Sequence, residues 1–335
     1  MTMAIFQGGQ EKTLAIAIAA LCFGILPADA DESRVEKGTF KDPGWCVWCP
    51  SAVELDDGRI ALVHSRWEES KTHNAWVSDS VAALAIAEGP GKPFKFEKVI
   101  LTGSGKEGGW DRDCVHNPTV VRIKGKYYMY YMGCYGQKGD WWSYRNNQKI
   151  GVATADRIEG PWTRCDKPLV DSARYGWAVC NNPSVCEMPD GRFLMVFKYV
   201  EKKLKGPFYG PVRHAAAIAS APTGPFEVVK LDLLPVPGVM FPGEDPFVWR
   251  EGDKIICTIH DIATYYSDKS KALIRFESKD GLNWRNCGVL MERGKIDRLE
   301  RPNLIRLANG ERWLFAAAKP NRKSDESIIV YEKLR

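Results

Sequence analysis

Convincing helical periodicity is missing from this 335-residue chain. Its apolar residues come in short runs rather than at the spacing of an amphipathic helix, which argues against a parallel α/β fold. Long hydrophobic stretches are missing too, with one N-terminal exception, and no other segment reaches the length of a membrane span. Charge is not massed: the net value is +5, and the Lys and Arg residues are scattered, so there is no nucleic-acid footprint. That mild excess leaves room for a weak preference for anionic substrates. No G-x-S-x-G elbow, HExxH or EF-hand loop occurs. GSGKEGG at 103–109 lacks the P-loop spacing and its helix. Disordered or low-complexity tracts are lacking, and a hydrophobic share of 44% is ordinary for a globular chain.

The exception is TLAIAIAALCFGIL, residues 13–26, followed by Pro27 and Ala28-Asp29-Ala30. The run has the length of a signal-peptide core and is too short to cross a bilayer comfortably, and A-x-A is a cleavage pattern. Residues 1–30 therefore read as a signal peptide, and residues 31–335 as one mature domain, secreted or periplasmic and free of the membrane after cleavage. Ten cysteines occur, and nine remain after Cys22 is removed with the signal. An odd count leaves at least one thiol unpaired within the chain. Cys46-x-x-Cys49 is half of a zinc or redox motif without its partner half, so half-buried structural thiols are expected and no metal or cofactor.

What is present is a repeat. A proline leads an apolar strand, a Gly turn follows, and a second apolar or aromatic strand returns. The copies are WCPSAVELDDGRIALVHSRW, HNPTVVRIKGKYYMYYMG, NNPSVCEMPDGRFLMVFKY, EDPFVWREGDKIICTIHD and ERPNLIRLANGERWLFAAAK. Their leading prolines are Pro50, Pro118, Pro183, Pro246 and Pro302, 56 to 68 residues apart. Each copy reads as a β-hairpin, and proline suits the first position of a strand, where no ladder donor is needed. Second hairpins follow in IGVATADRIEGPWTR, AAIASAPTGPFEVV and LIRFESKDGLNWRN, with a weaker one in LAIAEGPGKPFKFEKVI. Four strands per unit, repeated radially, predict an all-β, five-bladed β-propeller. The fifth unit has one strand too few, so residues near Arg34–Phe40 are expected to complete it and close the ring.

In such a blade the start of the first strand and the end of the second share one mouth of the axis. The pre-proline pairs there are Trp48-Cys49, His116-Asn117, Asn181-Asn182, Glu244-Asp245 and Glu300-Arg301. The returning ends bring His64 to Trp67, including Arg66, then Gly133, Lys198, His260-Asp261 and Lys319. Convergent polar groups in a concavity are the mark of a binding pocket. Trp48, Trp67, Trp141, Trp142 and Tyr135 are aromatic candidates for stacking on sugar faces.

These repeats resemble the five-bladed furanosidase superfamily, which includes glycoside hydrolase families 43, 32, 68 and 117. HNPTVVRIKGKYYMYY, GVATADRIEGPW and SKDGLNW carry most of the similarity, which runs from about Gly44 onward. The resemblance implies a glycosidase. Family 43 enzymes generally place a base, a pKa-modulating Asp and an acid Glu at the inner strands of the first three blades. Here those positions hold Cys49, Asn117 and Asn182, so those roles do not transfer.

Glycosidic hydrolysis needs two carboxyl groups about the scissile bond. Blades 4 and 5 supply them. Asp245, immediately before its proline, is the expected base or nucleophile, and Glu300 the general acid. Glu244 or Asp261 would tune a neighbouring carboxyl, and His260 is an alternative acid. Asp111 and Asp113 add acids upstream of His116-Asn117. Arg66, Arg301, Lys198, Asn117 and Asn182 would hold substrate hydroxyl or carboxylate groups, with Trp48, Trp67 and His116 beside them. The expected activity is cleavage of an oligosaccharide or polysaccharide end at an axial pocket. Two alternatives stand: a carbohydrate-binding propeller without catalysis, and a polysaccharide lyase using His116 or His260 with Tyr135. Mass spectrometry of the exported protein should find a chain starting near Asp31; intact residues 1–30 would refute the signal peptide.

Overall fold

The structure, a computed structural model, describes residues 37–334 apart from 270, 293, 295–297 and 321–324. The signal segment 1–30 and Arg34–Glu36 lie outside the described residues. In chain order, β1 (Lys37–Phe40) precedes blade 1, made of β2 (Trp45–Glu54), β3 (Ile60–Glu68), β4 (Val81–Ala87) and β5 (Lys95–Leu101). Blade 2 holds β6 (Cys114–Ile123), β7 (Lys126–Cys134), β8 (Lys149–Ala155) and β9 (Thr163–Arg164). Blade 3 holds β10 (Trp177–Glu187), β11 (Phe193–Glu201), β12 (Val212–Ala219) and β13 (Glu227–Lys230). Blade 4 holds β14 (Gly243–Glu251), β15 (Lys254–Asp261), β16 (Leu273–Ser278) and β17 (Arg285–Met291). Blade 5 takes β18 (Arg298–Arg306), β19 (Arg312–Lys319) and β20 (Ile328–Leu334), and β1 is its fourth strand.

Each blade is a four-stranded antiparallel sheet, in sequence order in blades 1 to 4, while in blade 5 β1 pairs with β20 from Lys37–Glu332 to Phe40–Ile329. The expected closure from the N-terminal side is therefore what the ring does. Neighbouring inner strands contact one another in the cycle β2, β6, β10, β14, β18 and back to β2. A closed cycle leaves no blade edge unpaired toward a missing neighbour.

The core is five wedges between adjacent blades. Val63 and Leu84 of blade 1 meet Met129 and Tyr131 of blade 2. Tyr130 and Val152 of blade 2 meet Trp177 and Phe197 of blade 3. Leu194 and Val196 meet Ile255 and Cys257, Leu273 meets Leu314, and Trp313 and Tyr331 return to Leu62 and Ala85. Because both faces of a sheet are covered, KYYMYYMGC and FLMVFKYVE are almost continuously apolar rather than alternating. Close approach is built in where needed. A Cβ on Gly151 would lie 2.3 Å from the Trp110 ring, so the missing side chain makes room for that tryptophan to stack on Tyr131.

Inner strands of different blades do not ladder to one another, so their axial N–H and C=O groups need other partners. The residue after each leading proline supplies several. Ser51 Oγ accepts from Val120 N (2.8 Å), Ser184 Oγ from Val248 N (2.8 Å), and Asn303 Oδ1 from Ala52 N (2.9 Å). Thr119 Oγ1 donates to Pro183 O at 2.7 Å. Ser184→Ala should leave the Val248 N–H buried without its acceptor. Equilibrium denaturation should report a loss of about 1–3 kcal/mol.

Candidate active site

The residue before each leading proline has left-handed backbone: Cys49 (φ 53°), Asn117 (54°), Asn182 (54°), Asp245 (61°) and Arg301 (51°). The ladder between first and second strand slips at the same place in every blade. This is a β-bulge used five times, and it re-aims one side chain per blade. Left-handed backbone costs a residue with a side chain about 1–2 kcal/mol, least for Asn and Asp. Three of the five positions hold those types.

The re-aimed side chains meet around the axis. Cys49 Sγ donates to Asn117 Oδ1 (2.8 Å), Asn117 Nδ2 to Asn182 Oδ1, and Asn182 Nδ2 to Asp245 Oδ1. The other carboxylate oxygen of Asp245 accepts the Arg301 backbone N–H at 3.1 Å. The Arg301 guanidinium crosses the axis, its Nη2 3.5 Å from Asn117 O and 3.4 Å from Thr119 Oγ1.

Above this seam opens a cavity of about 550 Å³. Its lining includes Trp48, Trp67, His116, Asn117, Asn182, Lys198, Glu244, Asp245, Glu300 and Arg301, ten of the residues expected from the strand ends. Lys319 and Asn181, also at strand ends, line it too. One wall is aromatic. Trp76 stacks on His116 (4.9 Å between centroids), and the His73 ring stands edge-on to Trp48 (5.0 Å) and Trp67 (5.7 Å). The other wall, from blades 3 to 5, is ionisable.

Other expected residues are not brought there. Arg66 turns away: its Nε pairs with Asp42 at 2.6 Å and its guanidinium lies 3.4 Å over the Trp45 ring. Asp261 is fully buried beneath the following turn, where it accepts the N–H groups of Tyr265, Tyr266 and Ser267. His260 stands opposite Glu244 in the β14–β15 ladder but does not line the cavity. Asp111 accepts from Tyr131 and Arg164, and Asp113 pairs with Arg112. Neither borders the pocket, and nor does Tyr135, Trp141 or Trp142. Trp141 and Trp142 open a short helix, Trp141–Arg145, which Asp140 caps through Trp142 N and Ser143 N.

Strand-end reasoning missed Thr72, His73, Asn74 and Trp76, which arrive in the connection between β3 and β4, and Asp325, before β20. A cue was available: EESKTHNAWVSD is polar and aromatic, and it lies in the connection between second and third strands, which is also long in blades 2 to 4. This connection is held down by Trp67 Nε1 donating to Thr72 O (3.1 Å) and by a His73 Nδ1 contact with Ser327 Oγ (3.0 Å). Two thiols hold it from below, Cys114 to Trp76 O (3.4 Å) and Cys134 to Val77 O (3.0 Å). Cys46 and Cys49 hydrogen-bond separately, to Asp325 O and to Asn117, and no disulfide forms among the described cysteines.

Electrostatics separate the two adjacent acids. Burial raises the Asp245 carboxyl, the Arg301 cation opposes it, and the Glu244 charge adds to the rise; the net direction is up. For Glu244 burial is outweighed by Lys198, whose Nζ is 3.0 Å from Oε1, so its carboxyl titrates below the usual range. Burial pushes the Cys49 thiol up to about 12 and holds His116 well below its ordinary value, so both stay neutral. Among the described residues no group of three or more His, Cys, Asp or Glu is arranged to hold a metal ion.

No family model matches the chain, and no curated protein matches it in sequence. Solved structures do match in shape. One is a family 117 glycoside hydrolase from the marine bacterium Zobellia galactanivorans: TM-score 0.61, 20% identity, 89% of this chain and 90% of that one. Another is the GH43_1 enzyme from Xanthomonas citri complexed with xylose, with TM-score 0.63, 14% identity and the same coverages. A third is a β-xylosidase/α-arabinofuranosidase from a compost metagenome: TM-score 0.62, 15% identity, 88% and 94%. At such identities the likeness is one of fold, the five-bladed β-propeller.

Lys198→Met should bring the Glu244 carboxyl above the ordinary glutamate range, read by carboxyl carbon NMR. In the native protein its depressed pKa contributes stability above the unfolded value, about 4.3, and that contribution is lost as pH falls through the folded value. The variant should show the opposite slope and lose about 1–3 kcal/mol near neutrality.

Proposed function

We propose that this protein is an exported glycoside hydrolase that cleaves the end of an oligosaccharide or polysaccharide in the axial pocket. The observation that carries the reading is that Asp245 and Glu300 line one polar cavity of about 550 Å³ beside an aromatic wall. That size suits a ligand of a few sugar rings, and a tryptophan wall suits their apolar faces. The neighbouring folds named above as glycoside hydrolases of families 43 and 117 favour the same chemistry.

Asp245 suits the base or nucleophile. Both its oxygens accept hydrogen bonds from groups that can only donate there, the Asn182 amide and the Arg301 backbone N–H. Those donors favour and orient the ionised form, while burial makes it a stronger base. Glu300 suits the general acid, protonating the leaving oxygen. Glu244, held ionised by Lys198, adds negative charge beside Asp245 and raises its basicity. Lys198, Asn182 and Arg301 hold the sugar's oxygen substituents, and Trp48, Trp67 and His116 form the stacking side. Residues 1–30 would direct the chain out of the cytoplasm.

A binding propeller without catalysis is the second reading. The observation favouring it is that the pre-proline side chains of blades 1 to 3 are Cys49, Asn117 and Asn182, all neutral. The lyase reading is weaker, because Tyr135 and His260 do not border the cavity.

A screen against varied oligosaccharides, read by reducing ends, separates these readings. Asp245→Asn should lower kcat on every cleaved substrate by about 10²–10⁴-fold. Glu300→Gln should do the same for natural substrates but regain most of its rate on aryl glycosides, whose leaving group needs little protonation. The acid limb of kcat/KM should lie above the ordinary aspartate range, since Asp245 must be ionised to act. Full activity in both variants would refute the assignment, and binding without cleavage by the native protein would favour the second reading.

A further inference from the structure

An exposed aromatic strip leaves the pocket across blades 2 and 3, and we infer that it binds an acidic polysaccharide whose end occupies the pocket. The inference rests on the carbohydrate reading of that pocket and adds a second site and a substrate class.

The strip is continuous. Trp76 lines the cavity, and Trp141 meets it edge-on with centroids 6.1 Å apart. Trp142 follows at 4.9 Å, Phe208 at 6.4 Å and Phe241 at 4.9 Å. Its outer members are open: Trp142 is 37% exposed and Phe241 38%, with Met240 beside Phe241 at 37%. Contiguous exposed apolar surface of this kind marks a binding site more often than chance exposure.

The strip is also stiff. Asp140 caps the helix that presents Trp141 and Trp142, and Trp141 Nε1 donates to Asn74 O at 3.1 Å. The loop carrying Phe208 is tied to the same helix, by Asn146 Nδ2 to Pro207 O (2.8 Å) and Arg145 Nη1 to Phe208 O (3.1 Å). The Arg145 guanidinium lies 4.3 Å over the Phe208 ring. Val212 N donates to Met240 O at 2.8 Å and Arg213 Nη1 to Val239 O at 3.0 Å, which anchors the Phe241 segment. Rings fixed before binding lose little entropy on contact.

Charge selects the ligand. The loop before Phe208 reads Glu201-Lys202-Lys203-Leu204-Lys205. Lys203 pairs with Glu201 at 2.7 Å, whereas Lys202 and Lys205 meet no carboxylate among the described residues. Asp140 is occupied as a helix cap. The strip is thus apolar along its length, positive at its flank, and continuous with a polar pocket. A glycan with carboxylate or sulfate substituents matches all three: ring faces for the aromatics, anions for the lysines, and a hydroxyl-rich end for the cavity.

Native gels containing dissolved alginate, pectate, carrageenan or neutral arabinoxylan test this, with retardation read without turnover. The native protein should be retarded by at least one polyanion and not by arabinoxylan, and less so as salt rises above about 0.1 M. Trp142→Ala with Phe241→Ala, both at exposed positions, should weaken that binding at least about tenfold, with an unchanged circular dichroism spectrum. Lys202→Ser with Lys205→Ser should weaken it and flatten its salt dependence. No retardation by any polyanion, or undiminished retardation of the aromatic variant, would overturn the inference. So would a self-association or phosphatidylglycerol-vesicle binding of the native protein that the aromatic variant loses in place of polysaccharide binding. Because no catalysis is read, active Asp245 and Glu300 variants would count against the hydrolase reading alone.

Discussion

Everything at the axis depends on one constraint: the inner strands of a propeller face each other without forming a ladder. Their polar groups must be satisfied from elsewhere, or the axis would carry unpaired buried donors. Two tiers of side chains solve this. After four of the five prolines, Ser51, Thr119, Ser184 and Asn303 tie neighbouring blades through backbone contacts. Before the proline, the left-handed bulge turns Cys49, Asn117, Asn182 and Asp245 toward one another. The same bulge that closes the seam therefore delivers the pocket floor. Structure and pocket cannot be separated there, because a residue that relaxed its bulge would withdraw both a blade contact and a side chain of the pocket floor.

The seam also has a direction. Thiol, amide and amide each donate toward the next blade, and the last donor reaches the carboxylate of Asp245. Three neutral positions are thus not empty of consequence. They place aligned donors that end on the one pre-proline carboxylate, and in a poorly solvated site such alignment favours its negative charge. Glu244, next in sequence, is stabilised by a different device, the Lys198 ammonium. Two adjacent acids with different supports titrate in opposite directions from their ordinary values. Environments that push neighbouring carboxyls apart divide the labour between them.

The repeats made the ring legible: five proline-led hairpins fixed the blade count, and the one missing strand pointed to the N-terminal side. The pocket floor was legible for the same reason, since position within a repeat predicts position around an axis. Errors arose where that rule has no grip. Arg66 and Asp261 end the right strands, yet side chains alternate along a strand. Ser65 accepts from Asn117 N at 3.1 Å, while the next residue, Arg66, leaves for Asp42 and Trp45. His73 and Trp76 were missed because they belong to no repeat. They lie in a connection between strands whose placement depends on distant partners, Ser327 and the thiols Cys114 and Cys134. The gathering of carboxyls before the prolines of blades 4 and 5 was legible from residue types alone. How Glu244 is held ionised was not, because Lys198 lies 46 residues from it in sequence.

Arg301 explains why the pocket has a floor at all. Its backbone belongs to blade 5, but its guanidinium reaches the Asn117 carbonyl and Thr119 hydroxyl of blade 2. It spans the axis between the polar cavity above and the apolar inner wall of Val120, Val185 and Val248 beyond. Its Nε and Nη1 are buried and find no hydrogen-bond partner among the described residues, so this placement is costly. Arginine does not escape such a cost by losing its proton. The cation therefore stays, and its field works against the burial of Asp245. One side chain thus does two things that a propeller channel does not do by itself. It lies across the axis and separates the polar cavity from the apolar inner wall. It also supplies the fixed positive charge beside which a buried aspartate can hold a negative one.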